Sequence, residues 1–388
     1  MDAFIYEALR SPRCKAKPEG SLAGLSPQAL IAMLVDGIQQ RGHATSEVEQ
    51  LLVGCVGQLK AQGGNIALLS KLFAGLPDSC SAMTVNHFCA SGLSSIGLAA
   101  NACALGQSRL ALAGGVECMS QVPFMADKAA YYSDTSLPVT QRYLPVAVSA
   151  DLLATQFRIS RSDLDEVTAQ SHRRAASAQR YQSSRLGIFN PDGSVMAQED
   201  ECIRPQTNRE SLALLPPAFE SIAAAYAATL TGRDIDYRHS IANAPAMVDG
   251  AALALVGNAG ASERAPRARI LGWTDAGADP GESLTGGMAA MDKLLKRLRV
   301  KLADIDRIEF MEAFAVVPVL FQQRYDPDPA RVNISGGHLA KGHPMGATGA
   351  VLLSTLCDVL ERDDKPLGLV VATGASGTGS AMLIERVN

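Results

Sequence analysis

The sequence predicts an α/β fold made of two similar halves with a segment inserted between them. Three observations carry this. Short apolar runs alternate with stretches of helical spacing over residues 1–118 and again from about residue 249, the rhythm of strands joined by helical crossovers. Residues 119–243 break that rhythm with polar, turn-forming sequence. The order of features around Cys89 also recurs around His343: a small-residue helix start, an apolar helix, a strand, then glycine. Back-to-back packing of such halves would bring both helix starts to one cleft.

Taken in order, Met1 to Ala8 alternates as a first strand, and Leu25 to Ile38 has helical spacing opened by Ser26-Pro27, a cap followed by a proline suited to a first turn. Leu51 to Val56 reads as a short strand, Ile66 to Leu72 as a helix and Ala82 to Val85 as a strand leading to the Cys89 helix. Leu110 to Ala113 reads as a buried strand closed by Gly114-Gly115. In the insert, Asp151 to Phe157 and Ser162 to Tyr181 are amphipathic helices, the second opened by a Ser160/Asp163 capping pair. A loop of this length needs structure of its own, which makes it a cover over the core.

Further strands are expected at Ala252 to Val256, Ala268 to Trp273, Arg307 to Phe310, Val332 to Ile334 and Leu367 to Ala372. Helices are expected at Ala289 to Leu298, Glu312 to Gln323 and Gly346 to Leu360, and the alternation implies parallel strand pairing. The resulting division is an N-terminal half of residues 1–118 plus 244–266, a cover of residues 119–243 and a C-terminal half of residues 267–388.

A chain of 388 residues with 47% hydrophobic residues can bury a large core. Its net charge of −4, without a long basic run, recruits neither nucleic acid nor an anionic membrane. His172, Arg173 and Arg174 cluster locally, as a solvated helix face or as a contact for an anionic ligand. The eight cysteines lack Cys/His ligand spacing, which argues against zinc and a disulfide framework and suits a reducing compartment. No apolar run reaches transmembrane length and the N-terminus lacks a signal-peptide pattern, so a cytoplasmic protein is expected.

The chemistry centres on VNHFCASGLSSIGL, where Cys89 precedes a helix start. The dipole and free N–H groups there favour a thiolate, although a buried structural role is the commoner fate of a single cysteine. His343, in GGHLAKGHPMGATGA, is the best base for it, the alternative being a turn histidine bonded to backbone. A thiolate–imidazolium pair would be nucleophilic near neutral pH. The run VATGASGTGSAM turns N–H groups toward a carbonyl oxygen or serves as a packing turn.

VNHFCASGL, GGVECMS, MEAFA, GGHLAKGHPMGATGA and TGASGTGSAM resemble, in order and spacing, the thiolase family. ISRSDLDEVTAQSH and NAPAMVDGAA add similar stretches between them. The resemblance implies a five-layered α-β-α-β-α fold of two similar halves with an inserted loop domain, usually a homodimer or homotetramer. It implies an acyltransferase using coenzyme A thioesters, with no tightly bound cofactor and no metal. Cys89 would carry the acyl group, His343 would activate it, and the N–H groups of Cys89 and Ala375 would hold the oxyanion. Ala244, Pro245, Phe314 and Gly377 would lie along the acyl-CoA.

Two departures qualify the second half-reaction: Thr373 stands where the family has a second, acid/base cysteine, and Met311 replaces the first residue of NEAF or HEAF, which holds a catalytic water. Two more fall near the expected pantetheine and acyl pocket: Pro245 replaces the serine of NASG, and Pro145-Val146-Ala147 replaces a His-Met-Gly-like stretch. A threonine hydroxyl is a far weaker acid than a thiol, and a thioether donates no hydrogen bond. Glu312 and His338 are the stand-ins to weigh, and Cys357 is expected to pack inside its helix. The resulting readings are an acyltransferase with an altered condensation or thiolysis step, an impaired acyl-CoA-binding or complex-forming subunit, and an acyl-CoA hydrolase.

Overall fold

The computed structural model describes residues 2–178 and 182–387. Nine strands form one long twisted sheet path: β1 (Phe4–Arg10), β2 (Gln50–Gly54), β3 (Ser81–Val85), β4 (Leu110–Cys118), β5 (Val248–Gly257), β6 (Ala268–Gly277), β7 (Arg307–Phe310), β8 (Leu367–Thr373) and β9 (Thr378–Arg386). Their order is β7-β8-β9-β6-β1-β5-β4-β2-β3, with the two-residue strand Cys14–Lys15 added beside β5. The join between halves is narrow: β1 meets β6 only at Phe4↔Arg269 and Ile5↔Ala268.

The helices complete the layers. α1 (Pro27–Gln40) and α2 (Ile66–Phe73) cover the outer face of the N-terminal half-sheet, and α6 (Gly286–Leu298) covers that of the C-terminal half-sheet. Between the half-sheets lie α3 (Ser91–Ala104) and α8 (Thr348–Arg362), packed on each other and on strands of both halves. This is the five-layered α-β-α-β-α arrangement. Thirteen of the fifteen α8 residues are buried, because a central-layer helix has no solvent face. Gly92 and Gly349 permit the crossing: a Cβ on Gly92 would lie 2.7 Å from the Gly346 carbonyl oxygen, and one on Gly349 would lie 2.5 Å from the Leu93 nitrogen.

The cover contains α4 (Val146–Gln156) and α5 (Arg161–Ala178), with α7 (Val316–Tyr325) of the C-terminal half packed against both. The Ser160/Asp163 pair is reciprocal, Asp163 N–H donating to Ser160 Oγ and Ser160 N–H to Asp163 Oδ2, both at 3.1 Å. The expected extension of this helix to Tyr181 lies outside the described residues.

Several expectations need correction. The sheet is mixed: β2–β3, β2–β4 and β7–β8 are parallel, whereas β1–β5, β4–β5, β6–β9 and β8–β9 are antiparallel. Gly114-Gly115 does not close β4, which runs on to Cys118. A Cβ on Gly114 would sit 2.0 Å from the Ala252 oxygen and one on Gly115 2.4 Å from the Gly346 oxygen, so these glycines mark close packing rather than a turn. Val332 makes only an isolated bridge to Ile308, and Glu312 precedes α7 rather than opening it. Strand β9 went unread because its start is glycine-rich; Gly379 is needed where a Cβ would meet the Gly286 backbone at 2.0 Å.

Candidate active site

Seven of the eight anticipated site residues line one cavity of about 380 Å³: Cys89, Ala244, Pro245, Phe314, His343, Thr373 and Ala375. Gly377 does not line it; its N–H donates to Ser283 O at 2.8 Å and its φ is 77°.

Cys89 sits in the turn between β3 and α3, two residues before the helix begins. Phe88 adopts the left-handed conformation, φ 46°, an unfavourable state for a bulky residue that makes the turn sharp. His87 N–H is fixed by Ser91 Oγ at 2.8 Å. The thiol's environment is not the one expected. Burial, and then the nearby Glu117 carboxylate, push the Cys89 thiol up to about 12, outweighing its own backbone N–H.

His343 lies between β5 and α8. Its N–H donates to Ala246 O at 2.9 Å, which lays the loop against the Ala244–Ala246 segment. Its Nδ1 meets Thr348 Oγ1 at 2.7 Å. With Nδ1–H donating to this hydroxyl, Nε2 is left as the proton acceptor. Burial and the Arg13 charge push the imidazole down to about 3. At neutral pH the resting pair is therefore a thiol and a neutral imidazole, instead of the expected thiolate–imidazolium pair.

Glu117, inside the apolar strand β4, has a role the sequence reading missed. It is fully buried and accepts from Val56 N–H at 3.0 Å, Gly57 N–H at 2.9 Å, Gln62 Nε2 at 2.7 Å and Gly346 N–H at 3.0 Å. Burial raises its carboxyl, and these four donors oppose that rise. The available signal was a lone carboxylate inside a glycine-bearing apolar strand.

Ala375 belongs to a turn pinned on both sides. Gly374 N–H donates to Thr378 O at 2.8 Å and Ser376 N–H to Ser283 Oγ at 2.9 Å, while the Ser376 hydroxyl meets the Tyr131 hydroxyl of the cover at 2.8 Å. Thr373 is 1% exposed, and its hydroxyl donates to Leu284 O at 2.8 Å and accepts from Gly287 N–H at 3.3 Å. Its proton is already placed. Met311 is fully buried beneath it, with Sδ receiving Thr373 N–H at 3.3 Å, and does not line the cavity.

Neither stand-in reaches the cavity. Glu312 is held by Ser171 Oγ at 2.8 Å, Leu339 N–H at 3.1 Å and Asn333 Nδ2 at 3.1 Å. His338 stacks edge-on to His343, ring centroids 5.6 Å apart, and is fully buried. Cys357 packs inside α8 as expected. The basic cluster is structural: His172 Nδ1 accepts from Arg204 N–H, Arg173 pairs with Glu166, and Arg174 donates to Val332 O and Pro329 O. Among the described residues no helix is long and apolar enough to cross a membrane.

Comparison with known proteins agrees with this geometry. Residues 3–232 match the family description Thiolase, N-terminal domain, and residues 264–386 match Thiolase, C-terminal domain. The chain is 33% identical to the beta-ketoadipyl-CoA thiolase of Pseudomonas putida, with 100% of both chains covered. It is 34% identical to the 3-ketoacyl-CoA thiolase of Idiomarina loihiensis, again with 100% of both covered. Among solved structures it is similar to the Bacillus anthracis acetyl-CoA acetyltransferase, at 28% identity and a TM-score of 0.85 over 100% of this chain and 99% of that one. With a cysteine, a histidine and a glycine-rich turn meeting in one cavity of a five-layered fold, the chain belongs to the thiolase family.

Proposed function

We propose that this acyltransferase takes its acyl group from a CoA thioester onto Cys89. The observation that carries the reading is the shared cavity of Cys89, His343 and Ala375. Cys89 Sγ attacks the thioester carbonyl carbon while its proton passes to His343 Nε2. The N–H groups of Cys89 and Ala375 receive the negative charge on the carbonyl oxygen. The tetrahedral intermediate then collapses, the carbon–sulfur bond to CoA breaks, and His343 returns the proton to the departing CoA thiolate.

The second step is where this chain is distinctive. The Thr373 hydroxyl, committed to Leu284 O, is a poor acceptor for an α-proton, and Met311 offers no donor for a water. We read condensation and thiolysis as slowed relative to acylation. Loss of one oxyanion donor costs on the order of 100- to 1000-fold in rate. Pro245 contributes apolar surface to the cavity and no N–H to a pantetheine amide.

Assembly as a homodimer is supported by the free edge of β3, with Met83 48% exposed, beside Leu72 and Phe73 of α2, 61% and 58% exposed. A cytoplasmic setting fits the eight unpaired thiols.

Intact mass after incubation with acetyl-CoA and longer acyl-CoAs tests the reading. An acyl adduct is expected on the native chain and none on Cys89→Ala; absence of any adduct at every chain length overturns it.

A further inference from the structure

Resting on the acyl-Cys89 reading, we infer that the acyl group is an uncharged, apolar one, and that Asp127 at the cavity rim helps exclude chains ending in a carboxylate. The two relatives above are named for ketoacyl groups of different kinds, one of them a ketoadipyl chain with a second carboxylate, so family membership leaves the choice open. The walls of this cavity make it.

Among the described residues lining the cavity there is no lysine or arginine. The deep wall is Met119, Tyr143, Phe219, Leu284, Phe314 and Met345, each less than a tenth exposed. Its one phenol is turned inward on the protein, the Tyr143 hydroxyl meeting Met125 Sδ at 3.7 Å. At the rim, the Tyr132 hydroxyl donates to Asp127 Oδ2 at 3.1 Å, so this donor is spent on a carboxylate already present. His343, pushed down to about 3, brings no positive charge at neutral pH. Among the described residues, the Tyr226 hydroxyl is the one phenolic donor of the wall not already held by a hydrogen bond, so a terminal carboxylate would lose its water without gaining a cation, and would pass Asp127 on its way in. Desolvation of an unpaired charge is the larger effect; the exposed Asp127 adds a smaller, salt-screened repulsion. Apolar chains meet adaptable methionines and flat aromatic faces.

Hexanoyl-CoA and adipyl-CoA have six-carbon acyl groups and differ in a terminal methyl against a carboxylate. Rates of Cys89 acylation by intact mass should favour hexanoyl-CoA by on the order of 100-fold. Asp127→Lys should raise the ratio of the adipyl to the hexanoyl acylation rate roughly tenfold. Calorimetric binding of both thioesters to Cys89→Ala should show the same preference without chemistry. Adipyl-CoA acylating or binding within about threefold of hexanoyl-CoA overturns the inference. Tight hexanoyl binding to Cys89→Ala without acylation of the native chain sustains the specificity and overturns the acyl-transfer reading instead.

Discussion

Glu117 Oε2 accepts the Gly346 N–H at 3.0 Å, tying a strand of the N-terminal half to the helix start that follows His343 in the C-terminal half. The same carboxylate holds Val56 and Gly57, beside the Cys89 turn in the cavity wall. One buried side chain thus ties the wall beside the Cys89 turn to the loop that carries His343. Replacement by alanine strands several buried donors, and Glu117→Ala is expected to cost about 3 kcal/mol or more in denaturant unfolding. Acylation should fall more steeply than stability under conditions where the variant is still folded.

The neutral thiol predicts a particular pH dependence. Since Cys89 is raised by burial and Glu117, iodoacetamide alkylation of the unliganded protein should climb about tenfold per pH unit from pH 7 to 9 without a plateau. A plateau below pH 8 would reveal a preformed ion pair. Glu117→Gln, which removes the charge and trades one accepting oxygen for an amide NH2, should alkylate faster at pH 7 than the native chain.

Thr348 is expected to orient His343. Thr348→Val removes the oxygen 2.7 Å from Nδ1 and should lower the acylation rate roughly 10- to 100-fold with KM little changed. Thr348→Ser should restore it. Equal losses in valine and serine variants would assign Thr348 to packing alone.

Thr373→Cys together with Met311→Asn should raise thiolysis of a 3-ketoacyl-CoA above the native level, by supplying a thiol for proton transfer and a donor for a water. The measurement is CoA-dependent cleavage followed in the ultraviolet. An unchanged rate would place the limiting step elsewhere.

Asp200 is an acid-stability element. Burial alone would raise its carboxyl, but Arg10 and Arg13 outweigh burial and hold it well below the usual carboxylate range. Because the folded value lies below the unfolded one, its stabilisation is present above about pH 4 and is lost only as pH falls toward the folded value. Asp200→Asn should destabilise by about 3–5 kcal/mol at pH 7, and the deficit should shrink on acidification.

What the sequence disclosed depended on whether the signal was local. The cap at Ser26 and the reciprocal Ser160/Asp163 pair are short-range and were readable. So was the order of motifs that brings Cys89, His343, Thr373 and Ala375 to one cavity. Strand direction was not, since β5 pairs with β4 and β1, and β9 with β6, far along the chain, while the local β8–β9 hairpin went unseen along with β9 itself. Gly114, Gly115 and Gly379 looked like turns because glycine permits both a reversal and a close approach, and only the neighbours decide. The thiol misled for a related reason: the helix start was visible, whereas Glu117 reaches Cys89 only through the fold.

The two half-sheets touch along just two residue pairs, Phe4↔Arg269 and Ile5↔Ala268, while α3 and α8 each lean on both. Cut apart between residues 257 and 268, each fragment would keep most of its own strand pairing and lose the lid over its central helix. That would expose Leu93, Ile96, Leu353 and Leu356, all fully buried in the whole chain. The separately matched N- and C-terminal stretches are therefore one folding unit, in which neither portion has a finished interior until the other arrives.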